Sequence, residues 1–236
     1  MALPIVNSSR YSTKLPSTGE EIEYRPYLVK EEKIMMVALE SKDNKQIMRS
    51  MKDIIKACVF KDNFDIESLT SYDIEWMFIK LRSVSVGEIV TLNMPCQTGE
   101  CKAKTEHEFN LGDVEVTDTP DPIVQITDDV GVKMKHPGMD VMETFTEEKL
   151  QTLEGAFELV QCSMDVIYDK DEVYPIVGET AEDVKVFLDS LSTEQFKKLV
   201  EWIGLTPTVK GNIEWKCIEC GADNTFEVRG INSFFT

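Results

Sequence analysis

Four cysteines stand in two pairs, and each pair lies in a polar turn between stretches of alternating apolar residues. Cys217 and Cys220 belong to a Cys-x-x-Cys-Gly turn, and Cys96 and Cys101 flank a second turn more than a hundred residues earlier. A turn between two β-strands directs both of its thiolates to one point. Because tetrahedral zinc requires four ligands, the two turns together predict one zinc site.

Other interpretations of the cysteines remain open. Each pair could form a local disulfide, but no N-terminal apolar segment directs the chain to an oxidising compartment. Cysteine also serves as a small buried apolar residue, which suits Cys58 and Cys162 because both lie in helical apolar patterns. His107 and His136 are alternative ligands for one position, although a surface role is the commoner expectation for His136. Four protein ligands leave no open position for an activated water, so the predicted zinc is structural.

Composition limits the classes of partner. The 236 residues include 43 Asp and Glu against 25 Lys and Arg, a formal net charge of −18, and 42% are hydrophobic. This length suffices for one large domain or two small ones. We expect no membrane insertion, since no apolar run approaches the roughly 20 residues that span a bilayer. We also expect no nucleic-acid binding through phosphates, because the negative field repels a polyanion.

The elements that must position the cysteines are predicted from periodicity. The predicted fold class is α+β, with a mainly helical body and two hairpins, at 88–111 and 212–229, that form a zinc-ribbon-like module. Residues 1–23 predict an extended arm because they are rich in Pro, Ser and Thr. Residues 24–236 predict a single domain because the two hairpins must meet in space. The predicted helices are Lys30–Leu39, Asn44–Val59, Ser71–Val84, a helix opening at Thr144 and running through Met164, Ala181–Leu191 and Thr193–Ile203.

Sequence motifs give no support for catalysis. The chain has two histidines and lacks a Gly-rich phosphate loop, a nucleophile elbow and a His-Glu-x-x-His pattern. Acidic pairs such as Asp128 and Asp129 occur without the spacing of a calcium loop. No acidic pair lies in a context where one carboxyl group would shift the pKa of the other. We therefore predict that the protein is not an enzyme and has no small-molecule substrate. A carboxylate-dependent enzyme remains an alternative that an activity screen with divalent metals would test.

Three segments carry a resemblance to a known family: Tyr24–Ile34, Gly131–Pro137 and Gly230–Phe235. They resemble the T4-type phage baseplate hub assembly family, and the resemblance extends over nearly the whole chain. It implies a component or an assembly factor (chaperone) of the central hub of a contractile-tail baseplate. It further implies other hub and tail proteins as partners, the host cytoplasm as the place of assembly, and the virion as a second location. The family brings no catalytic residues.

Two aromatic clusters are candidate partner-binding residues. Tyr24, Arg25 and Tyr27 form an aromatic-Arg-aromatic cluster typical of binding anchors. Phe234 and Phe235 end the chain with an apolar tail on an otherwise acidic protein. The alternative is that the two tyrosines pack on the helices that follow them and that the two phenylalanines bury in the protein's own core.

A different function is also compatible with the sequence. An acidic protein with a zinc-ribbon-like module could act as an adaptor, or as a DNA mimic, on the host nucleic-acid machinery. Binding to RNA polymerase or to a nuclease, competed by DNA, would support this alternative.

Overall fold

The chain folds into two compact units in a computed structural model that describes residues 8–41 and 43–229. Of the residues that the structure describes, the first unit contains those as far as Ile66, Ser71–Thr117 and those from Thr208 to Arg229. The second unit contains Glu67–Thr70 and Asp118–Pro207. Each unit has its own cluster of buried apolar side chains, and the single domain predicted from the sequence over 24–236 stays a prediction. The segment between the two cysteine turns therefore holds enough apolar residues to build a separate core.

Helices and antiparallel strands make up both units, in agreement with the predicted α+β class. The helices are α1 (Val29–Ser41), α2 (Asn44–Cys58), α3 (Ser71–Val86), α4 (Met139–Met142), α5 (Glu147–Leu150), α6 (Leu153–Ser163), α7 (Ala181–Asp189) and α8 (Thr193–Gly204). The strands are β1 (Tyr11–Lys14), β2 (Glu21–Tyr24), β3 (Ile89–Pro95), β4 (Lys104–Asn110), β5 (Glu115–Val116), β6 (Ile123–Gln125), β7 (Gly131–Met134), β8 (Met164–Tyr168), β9 (Val173–Pro175), β10 (Val209–Lys216) and β11 (Asp223–Arg229).

The strands form four antiparallel sheets in the described residues. In the first unit, β1 pairs with β2, β3 with β4, and β10 with both β11 and β5. In the second unit, the strand order is β6-β7-β8-β9. Two of these pairs, β3-β4 and β10-β11, are the hairpins that the cysteine turns predict.

Residues 11–24 form a hairpin where the sequence predicts an extended arm. Leu15 and Ile22 are almost fully buried, so this short hairpin gains apolar burial that a solvated arm would not have. Gly19 adopts φ +71° in the connecting turn, a conformation that favours glycine. The Ser17 N–H donates to the Asp73 carboxylate of α3 at 3.0 Å and thereby fixes the turn to the body of the unit.

The core of the first unit lies between α3 and the two cysteine hairpins. Side chains alternate between buried and exposed along β3 and β10, as expected for strands with one face on a core. At Gly211 of β10, a Cβ atom would lie 2.5 Å from Cζ of Phe109 in β4. Glycine therefore allows the two hairpins to approach closely. The cluster contains Tyr72, Ile79, Val90, Leu92, Met94, Phe109, Leu111, Val114, Val209, Ile213, Trp215 and Val228.

The second unit packs its helices on one four-stranded sheet. Its buried cluster includes Val132 of β7, Val160 of α6 and Leu199 of α8. The single helix predicted from Thr144 through Met164 is two helices, α5 and α6. The hydroxyl of Thr152 accepts from the Gly155 N–H at 3.0 Å and begins α6 as a new helix. In the described residues, no helix is long and apolar enough to cross a membrane.

Replacing Gly155 with Ala is expected to destabilise the second unit. A Cβ atom at Gly155 would lie 1.9 Å from the backbone oxygen of Lys149, which cannot rotate away. A contact this short with a backbone atom belongs at the upper end of the range of about 1–3 kcal/mol for overpacking. It therefore outweighs the gain of about 1 kcal/mol that Gly→Ala usually gives inside a helix. Urea unfolding would measure the difference. Gly204→Ala is the control, because no atom lies within 4 Å of a Cβ there; a more stable Gly155→Ala chain would contradict the prediction.

Candidate metal centre

The four predicted cysteines lie in the turns of the two hairpins. Cys96 follows β3, and its N–H donates to Ala103 at 2.9 Å, while the Cys101 N–H donates to Thr98 at 3.0 Å. Cys217 follows β10, and its N–H donates to Ala222 at 2.9 Å. These backbone bonds close two short loops, each of which presents its thiols on one side.

The two turns bring the four sulfur atoms together. Sγ of Cys96 lies 3.6 Å from Sγ of Cys220, and Sγ of Cys101 lies 3.7 Å from Sγ of Cys217. All four sulfur atoms lie within 4.8 Å of one another. With a Zn–S bond of about 2.3 Å, the edge of a tetrahedron is about 3.8 Å. The donor set and its spacing therefore fit a tetrahedral, thiolate-bound metal ion.

Neither histidine belongs to this cluster in the described part of the chain. His107 lies in β4, opposite Leu92 of β3. His136 lies in the second unit, where its ring stacks on Trp202 with the centroids 4.4 Å apart. The group of potential ligands is therefore composed of four cysteines.

Polar contacts hold the two turns against each other without using the thiols. The Gln97 N–H donates to the Asn224 side chain at 2.8 Å, and the Gln97 amide donates to the Thr225 carbonyl at 2.7 Å. The Ile218 N–H donates to the Thr105 hydroxyl at 3.3 Å. Asn224 is buried and also donates to Ala222 at 2.8 Å. These contacts preorganise the thiol cluster, since they fix one turn relative to the other.

Sequence reasoning missed these supporting residues. Asn224 takes a buried position in β11, where strand alternation would place an apolar side chain. A polar residue at an inward position of a strand next to a cysteine turn is the signal that could have identified it. Gln97 and Thr105 give no such signal, because turns and strands often contain these residues at the surface.

The thiols differ strongly in acidity. The Ala222 N–H, then the Thr98 hydroxyl and the neighbouring thiols, lower the pKa of Cys220 to about 6. Hydrogen bonding from Thr98, whose hydroxyl lies 2.7 Å from the Cys96 sulfur, also lowers the pKa of Cys96. The Ala103 N–H favours the Cys101 thiolate, but desolvation and the other three thiols outweigh it and raise its pKa to about 12.

Hydrogen bonds to the sulfur atoms, set against desolvation, cause this spread of pKa values. Four thiols at these distances cannot all ionise, because each thiolate disfavours the next. A divalent cation reverses this effect, since it stabilises all four as thiolates and releases their protons. Four protein ligands then close the coordination sphere, so the cluster suits a structural role.

The predicted partner-binding residues are largely engaged within the first unit. Tyr24 is buried in β2, and its ring lies 6.1 Å from that of Tyr11. Tyr27 is half-buried, and its N–H donates to Ser85 at 2.9 Å. Phe234 and Phe235 lie outside the described residues. Tyr24 is thus buried within the first unit, and a partner-binding role for Tyr24, Arg25 and Tyr27 stays a prediction.

Arg25 forms a partly buried ion pair. Its guanidinium lies 2.9 Å from the Glu31 carboxylate and also donates to the carbonyls of Pro26 and Ala57, each at 2.9 Å. Glu31 is 3% exposed and accepts from the Leu28 N–H at 2.9 Å. Burial alone would raise the pKa of Glu31, because it disfavours the charged carboxylate. The hydrogen bonds from Arg25, the Leu28 N–H and Lys30 outweigh the effect of burial and lower this pKa. The pair thereby links α1 to the end of α2.

Comparison with known proteins agrees with the resemblance seen in the sequence. A family model described as T4 bacteriophage base plate protein matches residues 8–236. The chain is 24% identical over 216 residues to the "Baseplate hub assembly protein gp26" of Enterobacteria phage T4, a match that covers 91% of this chain and 92% of that protein. No solved structure matches the chain.

Proposed function

The chain belongs to the T4 bacteriophage base plate protein family, and on that premise we propose that it acts in the central hub of a contractile-tail baseplate. Membership itself implies a structural or assembly role in the phage base plate and contact with other base plate proteins. The observation that carries the finer proposal is the match to a hub assembly protein over 91% of the chain. The protein is then a hub component, or an assembly factor (chaperone) that works in the host cytoplasm.

The proposed role is non-enzymatic and depends on binding surfaces. Zinc, bound by Cys96, Cys101, Cys217 and Cys220, stabilises the first unit as a zinc-ribbon-like module. The sulfur distances of 3.6 and 3.7 Å support this assignment. The two hairpins are far apart in sequence, so a shared metal ion opposes the entropy of the long loop between them.

Quantitative mass spectrometry of purified virions and of assembly intermediates from infected cells tests the proposed function. A fixed copy number in virions would identify a hub component, and presence only in intermediates would identify an assembly factor. Absence from both would reject the proposal and favour an adaptor that acts on host machinery.

A further inference from the structure

Helix α1 exposes an unusual amount of apolar surface. Its inner face buries Met35 and Ala38. A surface helix normally carries polar residues on its outer face, and a contiguous exposed apolar patch marks an interaction site. The exposed apolar side chains of α1 are Val29 and Val37, each 66% exposed, Met36 at 58% and Ile34 at 47%.

A groove of about 480 Å³ runs beside this patch, between α1 and α2. From α1, Ile34, Val37 and Ala38 supply an apolar wall, and Lys33 stands beside them. From α2, the charged side chains at the groove are Arg49 and Asp53, so with Lys33 two cations and one acid line it. On α2 the lining of the groove extends from Gln46 to Asp53, which is about 10 Å at a rise of about 1.5 Å per residue, so the groove can accept about two turns of a partner helix. Helix-in-groove binding uses an apolar strip of this kind.

The charge of this surface is opposite to that of the whole chain. Among the described side chains of α1 and α2, exposed cations outnumber exposed acids, although the chain carries 43 acidic and 25 basic residues. The exposed cations are Lys30, Lys33, Lys45, Arg49 and Lys56, and the exposed acids are Glu32, Glu40 and Asp53.

This charge pattern favours an acidic protein over a second copy of the chain as the binding partner at the groove. A second copy of the chain, meeting α1 and α2 across a two-fold axis, would bring together two surfaces that each expose more cations than acids. Each copy also has a net charge of −18, which further opposes self-association. An acidic partner avoids both penalties, because its carboxylates face the cations at the groove.

We propose that the groove between α1 and α2 binds an amphipathic helix of another base plate protein, with Asp and Glu flanking its apolar stripe. Apolar residues at i, i+3 or i+4, and i+7 pack on Ile34 and Val37, while the flanking carboxylates pair with Lys33 and Arg49. This inference rests on the proposed function, because it assumes that the chain meets base plate proteins.

Site-specific photo-crosslinking in infected cells tests the proposal. One full-length chain carries a photo-crosslinking residue in place of Val37, and the control carries it in place of Val177. Val177 is also a highly exposed valine, but it belongs to the second unit and does not line the groove. We expect the Val37 position to crosslink to a segment of another base plate protein with acidic residues around helically spaced apolar ones. A crosslink to a second copy of this chain, or no crosslink above that of the Val177 control, would overturn the proposal.

Two further variants test the apolar and charge contributions separately. Val37→Glu and Arg49→Glu are each expected to reduce recovery of the chain with assembly intermediates about tenfold or more. Val177→Glu is expected to stay within about twofold of the parent, because single exposed valines contribute little. Unchanged melting temperatures would show that all three variants fold. Recovery of Val37→Glu at the parental level would overturn the inference alone, whereas absence of the parent chain from intermediates would overturn the proposed function.

Discussion

A Cys217→Ser chain is expected to unfold about 10–20 °C below the parent chain. Cys217 is 3% exposed and supplies one of the four clustered sulfur atoms. Loss of a structural metal ligand belongs to the few changes that cost more than about 4–5 kcal/mol, and each kcal/mol lowers the melting temperature of a chain of this size by about 2–4 °C. Differential scanning calorimetry on zinc-loaded protein would measure the shift.

The same samples provide the control and the metal content. Cys162 is exposed and lies outside the cluster, so Cys162→Ser should melt with the parent. A thiol-blocking reagent should release about one zinc ion per chain from the parent and from Cys162→Ser. A parent chain without metal that is as stable as the zinc-loaded chain would refute the structural zinc.

Replacing Arg25 with Ala is expected to destabilise the protein by about 3 kcal/mol, because it leaves a buried carboxylate without its main partner. Glu31 is 3% exposed, and the Arg25 guanidinium lies 2.9 Å from it. Chemical unfolding at neutral pH would measure the loss. If Arg25→Ala instead weakened association with hub proteins and left stability unchanged, Arg25 would belong to a binding surface.

This loss of stability should depend on pH. Because the folded protein lowers the pKa of Glu31 from its ordinary value of 4.5, the pair stabilises the fold above that value. The stabilisation is lost as the pH falls through the lower folded pKa. The difference between the parent and Arg25→Ala should therefore shrink in acid. Arg10→Ala is the control: Arg10 and Glu23 are 64% and 59% exposed, and such pairs are worth less than about 1 kcal/mol.

Local sequence signals predicted many elements well. The predicted helix Thr193–Ile203 corresponds to α8, and both hydrogen bonds of the capping box between Ser192 and Gln195 are present. Apolar alternation before and after each cysteine turn predicted both hairpins. The meeting of the two cysteine pairs was also predictable, because one tetrahedral metal ion needs ligands from both turns. These features depend on residues close together in sequence, or on a chemical requirement for a fixed number of ligands.

Features that depend on tertiary packing were not predictable. Strand β1 is short and polar. It forms because it pairs with β2, whose Ile22 side chain is buried in the folded unit. Tyr24, Arg25 and Tyr27 have the residue types of a binding anchor. The environment of Arg25, however, depends on its ion pair with Glu31, which α1 places beside it. The division into two units depends on which apolar residues share a core, which periodicity within single helices does not specify.

The order of the elements along the chain has a consequence for synthesis on the ribosome. The β3-β4 hairpin emerges early, but β10 and β11, which complete its core and supply Cys217 and Cys220, are made after the whole second unit. At about 5–20 residues per second, the roughly one hundred intervening residues take about 5–20 s to translate. During that time Val90, Leu92 and Phe109 lack the side chains of β10 that cover them in the finished fold. The second unit can therefore fold during translation, whereas the first unit completes its core and its thiol cluster only after the C-terminal hairpin has been synthesised.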